Sequence, residues 1–272
     1  MTNLSLSDKH LEIFLAQLRD ISSKIGIAHQ ISLNNIYYTE KANNMLYKLI
    51  DHPTYSTYLH PNIREFPIGI NIVIQPFSQS KSITELIFDN NTRYITVSIH
   101  LQQSVCSDIN IDPNPKQIFE KDVIPDWERS AHGNIIIIDK ERKEIERFEP
   151  HGTNDVLVDS IDDRLKDILF HLIPNFSTYS YFKPSDYYEQ GPQTIEYSSS
   201  LRKQNNLIGG FCGWWCLFYL YSRLIYEIER EIVITRLSID KDELFSLIWW
   251  FREKLLIEDY TSIKQKLVEL YL

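Results

Sequence analysis

The sequence has too few cysteines for a disulfide framework and too little positive charge for a nucleic-acid surface. Cys106, Cys212 and Cys216 are the only cysteines among 272 residues, and their spacing to the eight histidines matches no zinc-binding pattern. This pattern predicts a reducing compartment, no bound metal and no other cofactor. The net charge is −9 and no long basic run occurs, so we expect no nucleic-acid partner.

Long hydrophobic runs are missing as well. No stretch of about 20 apolar residues occurs, and we therefore expect no membrane-spanning helix. The first nine residues, Met-Thr-Asn-Leu-Ser-Leu-Ser-Asp-Lys, have neither a basic start nor an apolar run. A secretory signal peptide needs both features, so the sequence predicts a cytoplasmic protein.

The composition is otherwise that of a globular protein with a sizeable core, since apolar residues make up 43% and charged residues 24% of the chain. Apolar side chains repeat with helical spacing over residues 7–25, and a shorter helix is predicted over residues 41–49. We interpret residues 1–66 as an N-terminal helical extension or accessory region. Residues 67–272 are then the main domain.

Strand and helix patterns are mixed along this main domain. Strands are predicted over residues 68–74, 83–88, 93–100, 135–138, 144–148 and 176–182, and helices over residues 160–172, 211–229, 240–256 and 262–271. Residues 107–126 contain three prolines and predict a long surface loop. No repeat or low-complexity linker interrupts the chain, so an α+β domain with a central mixed sheet flanked by helices is the simplest architecture.

The stretch Gly-Gly-Phe-Cys-Gly-Trp-Trp-Cys at residues 209–216 runs directly into a strongly apolar helical segment. A thiol in the first turn of a helix lies at the positive end of the helix dipole, which favours the nucleophilic thiolate. Taken alone, Cys212 would sooner be interpreted as a core residue, because free cysteines are among the most buried residues in proteins. Trp214, Trp215 and Cys216 are predicted to be core residues of this helix.

A predicted hairpin some 80 residues earlier favours the interpretation of Cys212 as a nucleophile over its interpretation as a core residue. His132 precedes its first strand and Glu149 follows its second strand, and the two ends of an antiparallel hairpin lie side by side. An imidazole in this position can take the proton from the Cys212 thiol while the carboxylate stabilises the imidazolium. His151 would replace His132 as the base if the strand register were shifted.

These residues resemble the catalytic residues of the adenovirus-type and ubiquitin-like-protein (SUMO) cysteine proteases, over about residues 125–228. The chain order of histidine, acid, glutamine and cysteine is that of the family, and Glu149 follows His132 by the same 17 residues. Phe-Glu-Pro-His-Gly at residues 148–152 is closest to the branch seen in large DNA viruses. The resemblance implies a papain-like cysteine protease core with the nucleophile at the N-terminus of a buried helix.

Three positions depart from the family pattern. Gly133 follows the histidine where the family usually has tryptophan, so the wall of the substrate tunnel is built differently or lies open. The glutamine that donates to the oxyanion normally lies closer to the cysteine, whereas Gln204 precedes Cys212 by eight residues and Gln193 by nineteen. We prefer Gln193, because Gly-Pro-Gln resembles a motif of the viral relatives. Phe211 replaces the usual aspartate, so the backbone amide of the cysteine would contribute to the oxyanion hole.

The resemblance implies a thiol-dependent protease or isopeptidase that cleaves ubiquitin or a ubiquitin-like protein from conjugates. Viral relatives cut structural polyproteins instead, and a pathogen effector of this type would act in the host cytosol. Two alternatives stay open. One is a YopJ-type acetyltransferase on the same fold, which would need a basic pocket that the net charge of −9 disfavours. The other is a catalytically silent module that binds ubiquitin-like proteins.

Overall fold

The computed structural model describes residues 2–3, 8–36, 71–75, 80–103, 130–153, 158–205, 207–208 and 210–271. The chain divides into two compact units. The larger unit contains Met1–His29, Pro76–Ser98 and Gly133–Leu272, and the smaller unit contains Gln30–Gln75 and Ile99–His132. The helix predicted over residues 41–49, the loop predicted over residues 107–126 and the domain boundary predicted at residue 66 lie outside the described residues.

Helices and strands alternate irregularly along the chain. The strands are β1 (Thr2–Asn3), β2 (Ile25–Ile27), β3 (Gln30–Ile36), β4 (Asn71–Gln75), β5 (Tyr94–Gln103), β6 (Ser130–Asp139), β7 (Glu144–Phe148), β8 (Ser180–Phe182) and β9 (Leu207–Ile208). The helices are α1 (Asp8–Ile21), α2 (Ile83–Phe88), α3 (Val158–Leu172), α4 (Pro192–Tyr197), α5 (Ser200–Gln204), α6 (Cys212–Leu220), α7 (Arg230–Arg236), α8 (Lys241–Leu256) and α9 (Tyr260–Tyr271). None of the helices in these described ranges is long and apolar enough to cross a membrane.

The larger unit contains a mixed sheet in the order β2-β5-β6-β7-β8. Strand β2 runs parallel to the first part of β5. Strands β6 and β7 form an antiparallel hairpin with Ile135 opposite Phe148 and Asp139 opposite Glu144, and β8 adds to β7 in parallel. The hairpin predicted from the run of four isoleucines is therefore confirmed.

The smaller unit contains three paired strands. Strand β3 is antiparallel to β4, with Gln30 opposite Gln75, and parallel to the second part of β5, with Ile31 opposite Ile99. Both units thus combine parallel and antiparallel pairs. The predicted fold class, an α+β protein with a mixed sheet flanked by helices, is confirmed.

The core of the larger unit forms around α6, in which every residue after Gly213 is buried. Phe14 of α1 packs on Trp214 with 5.6 Å between ring centroids, and Phe148 of β7 stacks on Tyr219 at 4.2 Å. A helix that is apolar on all sides is buried in this way. Because neighbours from different parts of the chain pack on it, the helix holds its first residue in a fixed place.

The strand predicted over residues 83–88 was wrong, since this segment forms helix α2. Ser82 and Glu85 make a capping box: the Ser82 hydroxyl accepts from the Glu85 amide at 3.2 Å, and the Glu85 carboxylate accepts from the Ser82 amide at 2.8 Å. This reciprocal pair satisfies two amides at a helix start. The local cap outweighs the strand tendency of the β-branched residues Ile83, Thr84 and Ile87.

Other boundaries differ from the predictions as well. The helix predicted over residues 7–25 ends at Ile21, and Ile25–Ile27 instead forms β2 beside β5. Of the strand predicted over residues 176–182, Ser180–Phe182 is a strand and Phe176–Thr178 is a 3₁₀ turn. The helix predicted over residues 211–229 is α-helical over Cys212–Leu220 and continues as a π-helix over Tyr221–Ile225. In the first case a short buried apolar triplet has joined the sheet rather than extending the helix, because sheet pairing overrides local periodicity.

Candidate active site

Cys212 is the first residue of α6 and is partly exposed. The carbonyl oxygen of Phe211 accepts from the Trp215 amide at 2.8 Å, so helical hydrogen bonding begins immediately before the thiol. This position at the positive end of the helix dipole favours a thiolate. Cys216 lies one turn further on and is buried, and burial raises the pKa of its thiol well above the usual range. Of these two thiols, Cys212 has the surroundings of a nucleophile.

Gly133 of β6 lies directly against the start of α6. A Cβ atom at this position would stand 3.7 Å from the Gly213 amide nitrogen and 4.0 Å from the Cys212 sulfur. The carbonyl oxygen of Gly133 accepts a hydrogen bond from the Cys216 thiol at 3.4 Å. His132 immediately precedes this contact in the strand and is partly exposed.

Glu149 follows β7, and its buried carboxylate is held from two sides. One oxygen accepts from the backbone amide of His151 at 3.0 Å, and the other lies 3.5 Å from Nη1 of Arg147. The backbone carbonyl of Glu149 also accepts from the Tyr188 hydroxyl at 2.7 Å. The Glu149 carboxylate is thus buried and held by hydrogen bonds, and is not a solvent-exposed group at the end of a strand.

Arg147 anchors this region and was missed in the sequence. Its guanidinium is fully buried and donates to both oxygens of Asp162 at 2.8 and 2.9 Å and to Oδ1 of Asn134 at 2.5 Å. Although burial disfavours the charge, the hydrogen bonds and the charge of Asp162 raise the pKa of Arg147 above its usual value. The signal in the sequence is an arginine inside the predicted strand over residues 144–148, directly before Phe148.

Gln193 and Gln204 have different environments. Gln193 is buried in α4, and its backbone amide donates to the carbonyl of Pro150 at 2.9 Å, whereas Gln204 is exposed in α5. A side chain at Gly210 would collide with Nε2 of Gln193. The Oε1 atom of Gln193 is buried and accepts no hydrogen bond from any described residue. The structure therefore brings Gln193 next to the segment that leads into Cys212.

The Phe-Glu-Pro-His-Gly turn supports α4. Its His151 carbonyl accepts from the Gly191 amide at 3.0 Å, and the His151 ring lies 3.3 Å from the Thr194 hydroxyl. Gly152 has φ of 85°, and a side chain there would collide with the backbone at Gly191. Only glycine adopts this conformation without strain. The Phe-Glu-Pro-His-Gly and Gly-Pro-Gln motifs thus make a direct backbone contact, with His151 facing α4.

The arrangement can perform nucleophilic chemistry with a thiol, a fixed carboxylate and a buried amide. Across the described residues, no group of three or more His, Cys, Asp or Glu side chains is arranged to hold a metal ion. Gln193 lies against Gly210 just before α6, and besides burial the charge of Glu149 raises the pKa of the Cys216 thiol one turn into the helix.

No protein-family model matches the sequence. An ankyrin repeat protein of Acanthamoeba polyphaga mimivirus is 33% identical over 116 residues, which cover 39% of this chain and 15% of that protein. The chain therefore matches only a small part of the length of this curated relative.

Solved structures of Chlamydia effector proteins are distantly similar. Chlamydia trachomatis Cdu1, in a structure with ubiquitin bound, has 12% identity and a TM-score of 0.45, with 95% of this chain and 96% of that chain covered. Chlamydia abortus ChlaDUB has 12% identity and a TM-score of 0.40, with 90% of each chain covered. Chlamydia trachomatis ChlaDUB1 has 12% identity and a TM-score of 0.43, with 94% and 86% covered.

Proposed function

We propose that this protein is a thiol-dependent protease or isopeptidase that cleaves ubiquitin or a ubiquitin-like protein from conjugates. The surroundings of Cys212 carry the proposal. Gly133, the residue after His132, lies against the Cys212 sulfur, and Gln193 packs against Gly210 two residues before the thiol. A thiol, a histidine segment and an amide donor that converge on one helix start are the parts that acyl transfer to cysteine needs.

In this mechanism Cys212 attacks the carbonyl carbon of the scissile bond while His132 takes the thiol proton. The imidazolium then gives that proton to the leaving amine, and a thioester to Cys212 remains. Water, deprotonated by the same imidazole, attacks the thioester and releases the carboxylate and the thiol. The helix dipole supports the first step because it stabilises the thiolate.

Glu149 would orient His132 and stabilise the imidazolium. Two contacts support this role, because Nη1 of Arg147 reaches both Oδ1 of Asn134 and Oε2 of Glu149. His132 and Asn134 are alternate residues of β6, and alternate residues of a strand lie on the same face. The carboxylate is thus held on the face of the hairpin to which the histidine belongs.

Gln193 and the backbone amide of Cys212 would stabilise the oxyanion of the tetrahedral intermediate. Amides in a first helical turn make no hydrogen bond within the helix, and they point towards an anion placed at its end. A donor of this type contributes about 3 to 4 kcal/mol to transition-state stabilisation. In the proposed mechanism, the buried Gln193 amide beside Gly210 therefore supplies a large part of the transition-state stabilisation.

The substrate class follows from the resemblance of the motifs and from charge. The chain carries a net charge of −9, which suits a partner with a basic surface by charge complementarity. A ubiquitin-type modifier with an extended C-terminal tail can also reach a thiol at a partly exposed helix start.

A panel of ubiquitin and ubiquitin-like proteins with C-terminal propargyl groups tests the proposal. We expect at least one probe to form a covalent adduct with the wild type, mapped by mass spectrometry to Cys212, and no adduct with Cys212→Ala. Cys216→Ala is the matched control and should still be captured. If no probe labels the wild type, the substrate class is wrong; an adduct that persists in Cys212→Ala would overturn the nucleophile.

A further inference from the structure

A buried ion pair lies one helical turn after Gln193. Glu196 of α4 is fully buried, and its two carboxylate oxygens accept from Nη1 of Arg202 at 3.3 and 3.2 Å. Arg202 belongs to α5 and is itself buried. Such pairs often lose as much to desolvation as they gain from attraction, so stability alone explains their presence poorly.

Arg202 also contacts two aromatic rings. Its guanidinium carbon lies 4.0 Å from the centroid of Tyr197 and 5.9 Å from the centroid of Phe211. Tyr197 belongs to α4, and Phe211 directly precedes the nucleophile. Arg202 therefore joins the helix that carries Gln193 to the residue before Cys212.

The side chains of Gln193 and Tyr197 both face Gly210. A Cβ atom built on Gly210 would collide with Nε2 of Gln193 and would lie 3.6 Å from the Tyr197 hydroxyl. Helix α4 has six residues, and a helix this short does not keep its orientation without tertiary contacts. The direction of the Gln193 amide thus depends on the tertiary contacts that fix the orientation of α4.

We infer that Glu196 and Arg202 form a positioning pair that holds α4 so that the Gln193 amide faces the oxyanion site beside Cys212. The inference rests on the proposed function. Neither member of the pair touches substrate. Glu196 holds the guanidinium, and the guanidinium contacts the rings of Tyr197 and Phe211. The Tyr197 hydroxyl reaches Gly210, and Phe211 follows Gly210 in the chain.

The first test measures hydrolysis and thiol reactivity in the same variants. Glu196→Gln keeps the volume and removes the charge, so we expect kcat for a modifier C-terminal amide substrate to fall about 10- to 100-fold with little change in KM. Alkylation of Cys212 by iodoacetamide forms no oxyanion, and its rate should stay within about twofold. Glu189→Gln, an exposed glutamate just before α4, is the matched control and should keep the wild-type kcat.

A double variant separates positioning from folding. In Glu196→Leu/Arg202→Met the pair is replaced by apolar side chains of similar size, a change that is often neutral or stabilising. We expect a folded protein with wild-type or higher Tm and a kcat that is still reduced. Wild-type kcat in this folded double variant would overturn the inference.

The position of the Gln193 amide can also be followed without any activity. Its side-chain NH₂ signals in a ¹⁵N NMR spectrum are identified by their loss in Gln193→Ala. We expect these signals to shift in Glu196→Gln and in the double variant, and to stay in place in Glu189→Gln. Unchanged signals in both pair variants would overturn the inference, whereas shifted signals in a protein that hydrolyses no substrate would support it and reject the proposed function instead.

Discussion

Gly133 stands so close to Cys212 that a methyl group on its α-carbon would lie 4.0 Å from the sulfur. Both residues are partly exposed. Every atom near that methyl position is at ordinary van der Waals distance, the nearest at 3.7 Å. Strand β6 thus has room for a methyl group at position 133 beside the Cys212 sulfur, and a larger side chain there would extend along the thiol.

Residue 133 should therefore control how large a molecule reaches the thiol. Gly133→Ala fits without displacing a neighbour, and we expect its stability to stay within about 1 kcal/mol of the wild type. Gly133→Trp places a ring beside the sulfur and should slow labelling of Cys212 by a bulky maleimide at least about tenfold relative to iodoacetamide, measured by mass spectrometry. If maleimide labelling of Cys212 is slowed equally in the alanine variant, or is not slowed in the tryptophan variant, bulky reagents do not reach the thiol past residue 133.

The two cysteines of α6 should react at very different rates. Burial raises the pKa of Cys216, so this thiol stays protonated at neutral pH, while Cys212 is partly exposed at the helix start. Since the thiolate is the reactive form, we expect iodoacetamide at pH 7 to label Cys212 about 100-fold faster. Peptide mapping over a time course measures both rates, and unfolding in urea should equalise them. Similar rates in the folded protein would contradict the assignment of Cys212 as the reactive thiol.

The two glutamines proposed from the sequence provide a matched pair of substitutions. Gln193 is buried beside Gly210, and Gln204 is exposed. Gln193→Ala should lower kcat about 100- to 1,000-fold, as loss of one oxyanion donor does, and Gln204→Ala should leave kcat unchanged. Steady-state hydrolysis of a modifier C-terminal amide gives both values. The opposite pattern would move the oxyanion role to Gln204.

Features of the site that rest on local sequence could be predicted. The run of isoleucines before the polar turn predicts the β6–β7 hairpin, and the apolar stretch after residue 211 predicts a buried helix. Helix α2 was missed, although the spacing of Ser82 and Glu85 is that of a capping box and can be recognised in the sequence.

Buried charge pairs could not be predicted from the sequence. Arg147 pairs with Asp162, and Glu196 pairs with Arg202. In each case the sequence shows an ordinary charged residue that would be expected at the surface. Only the packing of α3 on the hairpin and of α5 on α4 turns these residues into buried pairs, and such packing depends on contacts that periodicity does not report.

The Arg147–Asp162 pair should be essential for folding. Both side chains are buried, with Nε of the arginine 2.8 Å from the carboxylate. Asp162→Ala leaves a buried guanidinium without its main counter-charge, which typically costs about 3 to 5 kcal/mol. Asp163→Ala, one residue further on and exposed, is the control and should change stability by less than about 0.5 kcal/mol. Urea unfolding measures both, and similar small values for the two variants would contradict the role of the pair.

Glu196 should make the stability of the protein fall as the pH rises towards neutral. Burial raises the pKa of its carboxyl from 4.5 to about 7, against the opposing effect of Arg202. Between these two values the folded state binds more protons than the unfolded state, so the contribution of this group is full below about pH 4.5 and is lost as the pH rises through about 7. A shift of this size corresponds to about 3 kcal/mol.

Glu196→Gln cannot titrate, so the difference in unfolding free energy between wild type and variant should fall by about that amount between pH 4.5 and 8. Urea melts across this range measure it, and parallel pH profiles for the two proteins would show that Glu196 stays ionised throughout.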